Sequence, residues 1–232
     1  MQEQSNEEAV QSYRLLQSYK GGGALNEYRT IAGEASDAFV ERRSRFIGYA
    51  KPVQTQQQAV DFIEEIKSKH WDATHNVYAY CLREGQIRRY SDDGEPQGTA
   101  GIPALDVLLK EGLTDCVVVC TRYFGGVLLG AGGLVRAYSH TAKIAVEAAG
   151  MITMSLCAEG EVSCDYTLYG KLQPLLCREG AVITDTAFAD SVTLRFRIPA
   201  ERFDALNAAV VDASFGRCSC EKTGEAFAQI DG

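Results

Sequence analysis

The densest chemistry in the chain lies between Thr121 and Tyr138, where Thr-Arg-Tyr-Phe-Gly-Gly leads through Val-Leu-Leu-Gly-Ala-Gly-Gly into Leu-Val-Arg-Ala-Tyr. Five glycines fall within Gly125–Gly133. Glycine lets the backbone approach a ligand closely and take positive φ. A helix that starts at the end of such a loop aims its first N–H groups, and the positive end of its dipole, at whatever lies in front. Arg122 and Arg136 flank the loop as forked anion donors. The spacing therefore predicts a phosphate or carboxylate cradle made of Arg122, Tyr123, Gly125, Gly126, Gly132, Gly133 and Arg136. The competing reading is that the glycines only allow a strand and a helix to pack tightly. Neither nucleotide signature is present: no Gly-Lys-Ser/Thr follows the glycines, and Val135 stands where a dinucleotide fingerprint needs a third small residue.

A second constellation is Ser91-Asp-Asp-Gly-Glu-Pro-Gln-Gly-Thr-Ala-Gly-Ile-Pro103. Its carboxylates, Asp92, Asp93 and Glu95, are of the type that holds a hard cation or shares acid–base work. Asp-Gly is equally a turn dipeptide, and no EF-hand spacing is present. These three residues, with Thr99 and His75, are expected to form the rim of the anion site. His75 follows Asp72-Ala-Thr and could act as a base, or simply be a hydrogen-bonded structural histidine. His70 and His75 lack the i,i+4 relation of a metalloprotease helix, and no Gly-x-Ser-x-Gly elbow exists. Arginines also cluster, at Arg42, Arg43 and Arg45 and again at Arg83, Arg88 and Arg89, interleaved with Phe46, Tyr49, Tyr78, Tyr80 and Tyr90. Such a sheet face could meet RNA through phosphate contacts and stacking, although neighbours such as Arg88 and Arg89 must point to opposite sides of a strand.

The elements that position these groups follow from periodicity. Phe39 to Pro52 alternates as one or two strands, and Thr55 caps a helix whose apolar stripe is Ala59, Phe62/Ile63 and Ile66. Asn76–Leu82 and Gln86–Ser91 read as a hairpin, and Pro103 opens a short helix closed by Gly112. Cys116 to Tyr123 is a continuous apolar, β-branched run, hence a strand covered on both faces. A helix from Leu134 stops at Gly150. Beyond it, strand Gly160–Tyr166, a helix around Leu168–Leu176, hairpin strands Ala181–Phe188 and Ser191–Ile198, a helix from Phe203 and a last strand Cys218–Thr223 give β-α-β-β-α-β, the ferredoxin-like order. Pro174 is expected only near the start of its helix. Two α+β domains result, 28–150 and 151–232, after a polar extension 1–27 with at most a short helix around Tyr13–Leu16.

Composition narrows the function. With 232 residues and 46% hydrophobic content the chain can build cores for two small domains. Its net charge of −8 argues against bulk nucleic-acid binding by charge alone. The excess is unevenly placed: 28–150 carries 14 basic and 15 acidic residues, whereas 151–232 carries 7 and 12. No apolar run spans a membrane and the first residues do not read as a secretory signal, so a cytoplasmic protein is expected. Eight cysteines without a Cys-x-x-Cys pair read as reduced, mostly buried thiols rather than a zinc site.

Taken in order, Ala73-Thr-His-Asn76, Ser91-Asp-Asp-Gly-Glu-Pro-x-Gly-Thr-Ala-Gly-x-Pro103, Thr121-Arg-Tyr-Phe-Gly-Gly126 and Leu129-Gly-x-Gly-Gly-Leu-x-Arg-Ala-Tyr138 closely resemble the IMPACT family, in its bacterial YigZ-type, two-domain form. The resemblance covers residues 28 to about 225. It implies an N-terminal split β-α-β domain like one ribosomal protein and elongation factor G domain IV, and a C-terminal ferredoxin-like domain like elongation factor G domain V. Eukaryotic members regulate translation by competing for the activator of the amino-acid-starvation kinase, using an additional N-terminal domain that residues 1–27 are too few to supply. The expectation is a non-catalytic, translation-associated regulator without cofactor or metal, whose N-terminal domain binds RNA or a ribosome-associated factor. The alternatives are a small-molecule phosphate or carboxylate enzyme with Asp92, Asp93, Glu95 and His75 in the chemistry, or a protein–protein interaction module.

Overall fold

The computed structural model describes residues 26–229, so the short helix considered near Tyr13 lies outside the described residues. The chain is mixed α+β and divides into two compact units, 28–154 and 155–228.

In the first unit, after β1 (Glu27–Ile31), come β2 (Ala35–Glu41) and β3 (Ser44–Pro52), α1 (Gln56–Lys69), β4 (His75–Leu82), β5 (Ile87–Ser91), α2 (Gly101–Lys110), β6 (Cys116–Tyr123) and α3 (Ala131–Ala149). Five strands form an antiparallel sheet in the order β2-β3-β6-β4-β5. Since β3 and β4 both run antiparallel to the β6 that separates them, β3-α1-β4 is a split β-α-β unit. Thr55 begins α1 with a reciprocal capping box to Gln58, and Ala59, Phe62, Ile63 and Ile66 pack on Ile47, Tyr49, Val117 and Val119. On the opposite face α2 and α3 cover Phe46, Val77, Ala79, Val118 and Cys120. The strand expected to be covered on both faces is β6, whose first seven residues are all buried.

β7 (Met151–Cys164) begins in the first unit, where it pairs with β1, and runs on into the second, followed there by α4 (Tyr166–Arg178), β8 (Val182–Phe188), β9 (Val192–Pro199), α5 (Phe203–Ala213) and β10 (Glu221–Ala228). The order β10-β7-β9-β8 interlocks two split β-α-β units, the ferredoxin-like arrangement. One face packs on α4 and α5 through Val162, Leu194, Phe196 and Ile198. The other is polar, with Arg197 paired to Glu159, Arg195 paired to Glu161 and Asp185, and Ser163 bonded to Thr193.

Five local expectations shift. β7 begins at Met151 rather than Gly160, and β10 starts three residues later than the sequence suggests. Pro174 sits well inside α4 rather than in its first turns, a tolerated interruption of the hydrogen-bond ladder. The arginine-rich sheet face is open only at its edge: α1 covers the central strands on one side and α2 with α3 the other, while Arg88, Arg89 and Tyr90 of β5 stay exposed. Phe46, Tyr49 and Tyr80 are buried in consequence. Arg42 and Arg43 form the turn between β2 and β3 rather than lying on a strand.

Candidate functional site at one end of the N-terminal sheet

The motifs read from the sequence meet at one end of the five-stranded sheet. Arg122, near the end of β6, is opposite Phe46 on β3 and His75 on β4. The 70–74 turn is tied to the exit of β6, since Thr74 N–H donates to the Arg122 carbonyl and Phe124 N–H donates to Thr74 Oγ1. Gly125 is tied in turn to the β2–β3 hairpin, its N–H donating to Ser44 Oγ at 3.2 Å.

Alternation along β6 decides what Arg122 does. It shares the side of the strand occupied by Val118 and Cys120, beneath α3. There its Nη1 donates to Glu95 Oε1 at 2.6 Å, and the same oxygen accepts from Tyr138 OH at 2.7 Å. Arg122 is 5% exposed, Glu95 8%, and Tyr138 fully buried. The Arg122 guanidinium also lies over the Phe46 and Phe124 rings. Burial, then the bond to Glu95 and its negative charge, raise the Tyr138 pKa, so the phenol remains a donor. The expectation that Arg122 reaches an anion at the loop is corrected: an internal carboxylate occupies it.

The acidic loop turns inward as well. Asp92 accepts from the amides of Gly98, Ala100 and Gly101, and so caps α2 from a distance. Asp93 accepts from Asn76 N–H at 2.6 Å, while its carbonyl lies 2.7 Å from His75 Nδ1, which donates to it. Thr99 Oγ1 donates to the Pro96 carbonyl. His75 Nε2 is 3.8 Å from Glu95. Asp92, Asp93, Glu95, Thr99 and His75 therefore brace the loops rather than ring a ligand. Each carboxylate is engaged by the chain's own donors. Among the described residues no three His, Cys, Asp or Glu side chains are grouped to hold a metal ion.

The glycines divide between the two readings. At Gly125 a Cβ would lie 2.0 Å from the Arg43 carbonyl carbon and oxygen, so this residue is required for packing. Gly126 and Gly130 take φ of 79° and 71°. Gly133 lies under Leu129, whereas at Gly132 a Cβ would meet only the Arg136 guanidinium at 3.7 Å. Tyr123 is held at its hydroxyl, which donates to Asp72 and accepts from His70 Nδ1; His70 Nε2 accepts from Tyr49 OH. Burial, followed by the Lys69 charge, lowers the His70 pKa and keeps this relay neutral at the ring.

Arg136 differs from Arg122 in its burial. It is exposed one turn into α3, where among the described residues the amides of Ala131, Gly132 and Gly133 have no hydrogen-bond acceptor. Arg136 and Gly133 line a surface hollow of about 260 Å³ together with Arg42, His140, Phe39, Glu41, Leu129 and Ala137. His140 carries no site signal in the sequence, and Arg42 reads there only as part of an arginine cluster; the β2–β3 turn and the third turn of α3 bring the two to this spot.

The comparisons with known proteins agree with this layout. The Impact N-terminal domain model matches residues 42–146, and a domain of unknown function, DUF1949, matches 162–217. IMPACT family member YvyE of Bacillus subtilis is 36% identical over 83% of this chain and 89% of its own length. IMPACT family member YigZ of Escherichia coli is 32% identical over 75% of this chain and 87% of its own. The Protein IMPACT homolog of Dictyostelium discoideum matches at 37% over 43% of this chain and 29% of its own. A solved structure described as "Crystal structure of an hypothetical protein" is 28% identical and superposes with a TM-score of 0.55 over 87% of this chain and 99% of that one. With both domain models matched in order, and relatives above 30% identity aligned over most of their length, the chain belongs to the IMPACT family.

Proposed function

We propose that the protein is a non-catalytic regulator associated with translation, and that its N-terminal domain binds the phosphate backbone of RNA in a ribosomal setting. The observation that carries the reading is the hollow at the start of α3. There Arg42, Arg136 and His140 line one space, at the end of a helix whose first amides have no acceptor among the described residues. Glu41 lies on the same rim 4.0 Å from Arg42, which tempers the positive field and favours a ligand able to displace it.

The second domain contributes little to such binding. It carries 7 basic against 12 acidic residues over 151–232, and the polar face of its sheet pairs Arg195 and Arg197 with carboxylates. That face lacks the stacked aromatic rings of sheet-type RNA readers. The C-terminal unit is therefore assigned to architecture or to a protein contact, and the anion to the N-terminal unit.

Filter binding of the full chain to ribosomal RNA fragments across a salt series tests the proposal. A negative salt slope that is reduced in Arg136→Ala is expected. Absence of binding, or binding that ignores salt and Arg136, would overturn it.

A further inference from the structure

Beside the hollow, the same end of the sheet presents two aromatic rings that phosphate recognition does not use. Trp71, the single tryptophan of the chain, is 84% exposed, and Phe124 is 45% exposed. Both are held on rigid supports. Trp71 lies between His70 and Asp72, and each of those is hydrogen-bonded to the Tyr123 hydroxyl. The Phe124 amide is anchored to Thr74, and its ring lies over the Arg122 guanidinium, 5.4 Å away, which Glu95 fixes from the other side.

At the same end of the sheet the β2–β3 hairpin turns through Arg42 and Arg43 with φ of 45° and 67°. Two-residue turns of this kind favour Asn-Gly, because side-chain-bearing residues are strained at positive φ. Here both positions carry arginine, and Gly125 lets the next loop close against the Arg43 backbone. Arg45 follows, opposite Tyr123 across the sheet. Neither Arg43 nor Arg45 makes a salt bridge among the described residues. Two guanidiniums with no salt-bridge partner among the described residues, Arg43 and Arg45, at the end of the sheet that carries two exposed aromatic rings, form the combination that engages a polyanion with unstacked bases.

Resting on the RNA reading above, we infer that the N-terminal domain takes single-stranded rather than duplex RNA. Trp71 and Phe124 stack on bases, while Arg42, Arg43 and Arg45 follow the backbone. A duplex hides its base faces and gains nothing from the two rings. A protein partner could use the aromatic rings, but it would not by itself call for the guanidiniums of Arg43 and Arg45, which have no salt bridge among the described residues.

The test uses the full chain and the fluorescence of Trp71, with an unstructured A/U-rich RNA of about twelve nucleotides and a duplex of equal length, a span that suits a single-strand site. The single strand is expected to quench Trp71 and to bind more tightly than the duplex. By filter binding, Trp71→Ala should weaken the single strand on the order of tenfold and leave the duplex unchanged. An exposed residue can be truncated without unfolding, and circular dichroism checks this. Equal binding of both RNAs, with Trp71→Ala silent and Arg136→Ala still weakening both, overturns this inference and leaves the phosphate reading standing. Binding of neither RNA overturns both. A Trp71-dependent complex from lysate that survives nuclease treatment assigns the surface to a protein and overturns this inference.

Discussion

Glu95 holds the Arg122 guanidinium at 2.6 Å inside the N-terminal domain, with each side chain more than nine-tenths buried. A pair so placed joins the acidic loop to the central strand and, through Tyr138, to α3. Removing one member leaves the other charged and without its partner in a low-dielectric interior. Glu95→Ala is expected to destabilise the protein by about 3–5 kcal/mol, and Tyr138→Phe by about 1.5–3 kcal/mol, as for a bond to a charged acceptor. Urea unfolding measures both, and similar small losses for the two variants would contradict the arrangement.

Gly125 and Gly132 lie in one glycine-rich stretch yet should respond differently to a methyl group. At Gly125 the added carbon meets backbone at 2.0 Å, so the hairpin must move and Gly125→Ala should lower the melting temperature markedly. Gly132 is helical, with no positive φ and only a flexible guanidinium nearby. Gly132→Ala should be neutral or stabilise by about 0.4–1 kcal/mol. Thermal melts of the two variants decide it.

Replacing Arg42-Arg43 with Asn-Gly should separate stability from binding. Relief of two strained φ angles is expected to raise stability by about 1–2 kcal/mol. RNA affinity should fall at the same time, with a shallower salt dependence because fewer phosphates are neutralised. A variant that binds as well as the parent would show that the arginines are held for another reason.

His70 should make the fold sensitive to mild acid. Burial lowers its pKa from the ordinary 6.5, so the unfolded chain takes up a proton more readily than the native one. Its contribution is therefore complete above about pH 6.5, and declines as the pH falls from there toward the lowered native value. Unfolding free energies measured between neutral and mildly acidic pH should show this decline. His70→Gln, which keeps hydrogen-bonding capacity without titrating, should flatten it.

The thiols should be graded in reactivity. Burial raises Cys81 to about 11 and Cys120 to about 12, and raises Cys116 as well, whereas Cys177 is exposed. Alkylation of the folded protein at neutral pH should modify Cys177 first and spare Cys81, Cys116 and Cys120 until unfolding. Peptide mapping would reveal the order.

Much of this architecture could be read from local pattern. The apolar run of β6, the capped stripe of α1, the β4–β5 hairpin and the C-terminal β-α-β-β-α-β order all express periodicities that close within a few residues. The first half of β7 was harder to see. Its residues 151–156 are exposed or half-buried, so no strong alternation marks them, and the strand is completed by pairing with a distant segment, β1. The site shows the division most clearly. Arg122 and Arg136 stand at either end of one motif and read alike. Strand alternation and the cover of α3 bury the first against Glu95, while the helix surface leaves the second facing solvent beside Arg42 and His140. Residue types suggest two equivalent guanidiniums, and only long-range register decides which is buried and which faces solvent, because burial depends on what packs from elsewhere in the chain.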